Sequence, residues 1–82
     1  MVYEKIFVRV AVEFSKSGGI IPLKFWWKDG REIYIDKIII RESAPCRSAG
    51  ILMQRFTVKI LGLERFIYYD KEKEIWFVER LI

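Results

Sequence analysis

Phe25-Trp26-Trp27-Lys28-Asp29-Gly30-Arg31-Glu32-Ile33-Tyr34-Ile35-Asp36-Lys37-Ile38 is the stretch that decides the fold. Its first part sets Leu23, Phe25 and Trp27 on one side and Lys24, Trp26 and Lys28 on the other. After Gly30, Ile33 and Ile35 alternate with Glu32, Tyr34 and Asp36. A period of two marks a strand with one buried face. The stretch reads as a β-hairpin whose loop length fixes its register. A two-residue Asp-Gly loop would set Trp27 opposite Glu32 and mix the faces. A three-residue loop, Lys28-Asp29-Gly30, sets residue 27 against 31 and 25 against 33. Phe25, Trp27, Ile33 and Ile35 then share a face. Gly30 takes the left-handed position that a type I turn with a G1 bulge requires. Beyond Asp36 the alternation slips by one, to Ile38 and Ile40. A β-bulge at Asp36-Lys37 would return both to the core side and bend the strand.

The same period extends outward in both directions. A first strand over about residues 3–14 alternates Ile6, Val8, Val10, Val12 and Phe14 with Phe7, Arg9, Ala11 and Glu13, and its β-branched content disfavours helix. The Lys16–Gly19 stretch is a turn. The second strand runs from Ile20 to Lys28, with Pro22 marking an edge or a strand start. The third runs from Arg31 to about Glu42. Residues 43–50 are the main loop. A fourth strand follows at about 52–61, with Phe56, Val58 and Ile60 inward and Arg55, Thr57 and Lys59 outward. Arg65 to Tyr69 and Ile75 to Leu81 are the last two strands, apolar on both faces, so their inward sides stay open. The expected fold is all-β: a six-stranded antiparallel meander coiled into a small SH3-like barrel, which removes the sheet edges. An open twisted sheet that dimerises through its second face is the alternative.

With 82 residues the chain is one domain spanning residues 1–82. A chain this short buries only about 60–65% of its unfolded surface, which its 52% hydrophobic content offsets. Fifteen basic and eleven acidic residues give a net charge of +4, interspersed rather than in blocks, which permits an acidic partner without demanding one. There is no signal-peptide pattern, no apolar run near the roughly 20 residues of a membrane helix, and a single cysteine. The expected location is therefore cytoplasmic, with no membrane contact.

Phe25-x-Trp27-x-x-Gly30-Arg31-x-Ile33-x-Ile35-x-x-Ile38, the later Arg55-Phe56-Thr57-Val58, Tyr69-Asp70 and Trp76-Phe77-Val78-Glu79 together resemble a pattern in small uncharacterised bacterial domains of unknown function. The likeness covers about residues 22–80. It departs at Ile33, where an aromatic is usual, and in the first strand. It implies a small β-barrel and brings no catalytic residues with it.

The chain has no histidine, so the usual general base, the commonest metal ligand and every His-dependent triad are missing. One cysteine without histidine cannot build a zinc site, and neither phosphate-binding glycine loop is present. The carboxylates are scattered among lysines and arginines and read as a solvated surface. Cys46 beside Arg47 reads as a small loop residue, with no base to make it a nucleophile. No enzyme and no cofactor are expected. The informative surface is the outward side of the hairpin, where Lys24, Trp26, Lys28 and Tyr34 interleave cations with rings and Arg55 and Lys59 lie on neighbouring outward positions. Three readings fit it: cross-strand packing, contact with protein or with a second copy as a homodimer, and single-stranded nucleic-acid binding on the Lys24/Trp26/Tyr34 face.

Overall fold

In the computed structural model, which describes residues 2–82, the hairpin closes in the three-residue register. Lys24 faces Tyr34, Phe25 faces Ile33 and Trp26 faces Glu32. The Trp27 amide donates to the Arg31 carbonyl at 2.8 Å, and the Gly30 amide to the Trp27 carbonyl at 2.9 Å. Gly30 has φ +92°, and a Cβ there would touch nothing. Gly30→Ala therefore probes backbone strain alone, and should cost about 1–2 kcal/mol. A urea midpoint equal to that of the wild type would show that the left-handed turn is not required.

Among the described residues seven strands form, one more than the six expected: β1 Tyr3–Phe14, β2 Ile20–Trp26, β3 Glu32–Tyr34, β4 Lys37–Pro45, β5 Leu52–Ile60, β6 Leu63–Asp70 and β7 Ile75–Leu81. They make one antiparallel sheet in the order β3-β2-β1-β7-β6-β5-β4. The extra strand arises because the third one breaks at Ile35-Asp36. The Ile35 amide donates to Leu23 of β2 at 3.0 Å, and the next amide, Asp36, donates to Lys59 of β5 at 2.9 Å. Two consecutive residues thus bond to opposite ends of the sheet. Laid flat, seven strands would hold those ends roughly 29 Å apart, whereas the link from Tyr34 to Lys37 reaches at most about 11 Å. The sheet has to curl into a barrel-like half-turn, with β1 and β7 paired on the side opposite the link.

Two bulges shape the curl. Leu23 is the extra residue where the β1–β2 register shifts, beside Pro22. Pro22 lies near the start of β2 and pairs with Val12 of β1 alone, since the β3 ladder begins at Lys24, so its missing amide costs no ladder bond. Leu23, expected inward, is exposed. The slip at Asp36-Lys37 is a strand break rather than a bulge and does return Ile38 to the core side, while a bulge within β4 at Ile39 shifts the phase once more. Ile38 faces Val58, but Ile40 falls opposite Thr57 on the outer side and is exposed.

The concave face buries Phe25, Phe56, Val58, Ile67 and Trp76, with Trp27, Ile33 and Ile35 half-buried against them. The far end of this face is covered by Arg41. Its guanidinium lies 5.2 Å from the Phe56 ring centre, and a Cβ at Gly19 would come within 2.7 Å of it. A second cluster, Cys46, Tyr68 and Phe77, lies on the convex side. Tyr68 and Phe77 stack at 5.2 Å, beneath the segment that begins with Ala44 and Cys46. This is why β6 and β7 are apolar on both faces: both faces are buried there. Cys46, expected as a plain loop residue, is 1% exposed and anchors the cluster. Among the described residues no helix is long and apolar enough to cross a membrane.

Candidate binding surfaces

The outer face of β1–β3 gathers part of the expected patch. Trp26 and Lys24 project from the same side of β2, with Arg9 opposite Trp26 on β1 and Tyr34 opposite Lys24 on β3. The Arg9 guanidinium lies 4.2 Å from the Trp26 ring centre, and the Lys24 ammonium 5.2 Å from Trp26 and 5.3 Å from Tyr34. Glu32 accepts from Lys24 at 2.9 Å and from the Tyr34 hydroxyl at 2.9 Å. The bond from Lys24, then that from Tyr34, holds the Glu32 carboxyl below its ordinary range, and the same Glu32 bond holds Lys24 above its own. Cation–π contacts of this kind order a tryptophan without removing it from the surface. Trp26 ends half-buried under its own chain's cations, while Tyr34 and Phe7 remain more than half exposed.

The other expected patch residues lie apart. Lys28 is at the hairpin tip, 5.8 Å from the Trp27 ring. Lys59 faces Lys37 across β4–β5. Arg55 belongs to a different group: it stacks on Phe66 at 4.3 Å and pairs with Glu42 at 3.2 Å. Sequence parity placed all of these outward but could not say which strands would be neighbours. Arg9 and Glu32, which complete the cluster, follow only once the β1–β2 and β2–β3 registers are known.

A second feature was not read from the sequence. The β6–β7 ladder covers only three pairs, from Tyr68/Phe77 to Asp70/Ile75, although the strands continue to Leu63 and Leu81. Extending that register would set Ile67 beside Val78 and Arg65 opposite Arg80. Like charges facing each other across a ladder destabilise it, and here the strands part. A cleft of about 660 Å³ opens between them and runs to Trp27 and Ile33 of the hairpin. At its mouth Leu61 is 90% exposed and holds φ +52°, a conformation rarely taken by a bulky side chain. The Asp36 carboxylate fixes this turn by accepting the Leu61 amide at 2.9 Å.

On the outer wall of the cleft, Glu79 accepts the backbone amides of Arg47 and Ser48, one on each oxygen. Burial pushes the Glu79 carboxyl up, but the bonds from Ser48 and Arg47 outweigh it and hold the carboxyl below its usual range. Tyr68 lines the same wall; burial pushes its hydroxyl's pKa up, the Arg55 guanidinium draws it down and the Glu79 carboxylate adds to the rise, though neither group reaches full hydrogen-bond geometry with it. No group of three or more Cys, Asp or Glu side chains is placed to hold a metal ion among the described residues. No family model matches the chain, and no curated protein or solved structure matches it.

Proposed function

We propose that this protein is a binding module without catalytic chemistry, and that it associates with a second copy of itself through the outer face of β1, β2 and β3. The observation that carries this reading is the pre-ordered group of Arg9, Lys24, Trp26, Glu32 and Tyr34, flanked by the exposed ring of Phe7. The side chains there are already fixed by one another, so less rotamer freedom is lost on contact. The group carries both signs of charge. A two-fold axis would bring Lys24 of one copy near Glu32 of the other, as a self-complementary interface requires. Covering the exposed remainder of the Phe7 and Tyr34 rings is worth about 1–2 kcal/mol each.

Single-stranded nucleic acid is the second reading, supported by the same cations and rings. What weighs against it is occupancy. Arg9 and Lys24 already lie over Trp26, and Lys24 is held by Glu32, so a stacking base would have to displace them. Light scattering in the micromolar range separates the two. The wild type should run as a dimer and a Trp26→Ser/Tyr34→Ser variant, with its circular dichroism unchanged, as a monomer. Two monomers would overturn self-association. Oligonucleotide binding that is lost in the variant and falls steeply with salt would then establish the second reading.

A further inference from the structure

We propose that the cleft between the diverging halves of β6 and β7 is a separate site for a small anionic amphiphile, an aliphatic chain of medium length ending in a carboxylate. The floor is apolar and comes from four strands: Ile6, Val58, Ile67 and Val78. The volume, about 660 Å³, lies within the roughly 300–1,000 Å³ typical of small-molecule sites.

The lining is unequal in charge. Four arginines, at positions 31, 47, 65 and 80, stand against two glutamates, Glu64 and Glu79. Glu79 is already engaged on both oxygens by backbone amides. Arg31 pairs with Asp29 and Arg80 with Glu4, whereas Arg47 and Arg65 have no carboxylate partner among the described residues. A guanidinium recognises a carboxylate through two parallel N–H donors. A carboxylate seated near Arg65 and Arg80 would lie between the diverging strands.

Tyr68 walls the cleft on its convex side, where its buried hydroxyl faces Arg55 and Glu79, so it bounds the site without holding the carboxylate. Nothing in this site overlaps the Trp26 face, so the two proposals stand or fall separately.

The test is calorimetric titration of the full chain with octanoate, octan-1-ol and acetate. Octanoate should bind with a single saturable isotherm and raise the thermal midpoint. Octanol should bind roughly tenfold more weakly, and acetate should give no heat. An Arg65→Gln/Arg80→Gln variant should lose roughly tenfold on octanoate and nothing on octanol; if that pair misfolds by circular dichroism, Arg65→Gln alone carries the same comparison. Val78→Trp, which fills the cleft, should abolish both. The Trp26→Ser/Tyr34→Ser variant should bind octanoate as the wild type does. Equal affinity for octanoate and octanol, an arginine variant that binds octanoate normally, or no saturable octanoate binding below the millimolar range would each overturn the site.

Discussion

Phe56→Ala should lower the stability of this domain by about 3–5 kcal/mol, the range for emptying an aromatic core position. Phe56 is fully buried. It packs against Trp76 with ring centres 5.3 Å apart and lies beneath the Arg41 guanidinium on the open end of the sheet. It sits on β5, which is paired on both sides, with Arg41 across one ladder and Ile67 across the other. Set against a typical total of about 5–15 kcal/mol, the loss places the variant near its unfolding threshold. Trp27→Ala should cost less, because Trp27 is only half-buried and borders the cleft. Urea denaturation of the two variants checks the order. A Phe56→Ala midpoint equal to or above that of Trp27→Ala would show that the concave core is not centred on β5.

Glu79→Ala should cost roughly 1.5–3 kcal/mol, the range for hydrogen bonds to a charged acceptor. It should also loosen the segment that covers the convex core. The two Glu79 oxygens hold the amides of Arg47 and Ser48, one and two residues beyond the buried Cys46. Hydrogen exchange at these two amides should quicken in the variant while exchange in β1 and β5 is unchanged. The carboxyl's folded pKa lies below its unfolded value. Its contribution is therefore fully present above the ordinary glutamate range. It is lost as pH falls through the lower folded value. Glu79→Gln should flatten that part of the acid limb of stability. An acid limb of unchanged steepness would mean that Glu79 does not hold the segment.

Much of this architecture could be read from period and turn chemistry. The faces of the hairpin, the left-handed Gly30 and the inward Phe56 and Val58 follow from alternation, since a one-residue slip would expose a whole apolar set. What alternation does not carry is the identity of the neighbour. Ile33, Ile35 and Ile38 read as one strand because each is apolar at its place. Yet the partner changes from β2 to β5 between Ile35 and Asp36, and the slip in alternation beyond Asp36, the local mark of that change, reads equally well as a bulge within one strand. A slip at Asp36-Lys37 alone would leave Ile40 inward; the bulge at Ile39 turns it out. β6 and β7 could not be assigned a face because Tyr68 and Phe77 are buried by a segment whose buried members, Ala44 and Cys46, lie among polar residues. The outward position of Lys24, Trp26 and Tyr34 was legible, but their union with Arg9 depends on the β1–β2 register. The cleft was not legible at all. It depends on where a ladder stops, and the β6–β7 ladder stops at Tyr68 and Phe77, a boundary that alternation does not mark.

The most direct test of self-association through the outer face of β1–β3 is an amide chemical-shift map recorded over a rising series of protein concentrations. Shifts that move with concentration should cluster at Phe7, Arg9, Lys24, Trp26 and Tyr34, and the indole N–H of Trp26 should move with them. The amides of β5 and of the Ile67–Val78 cleft should stay fixed. A spectrum that does not change with concentration, or changes confined to the free edge of β4, would contradict it.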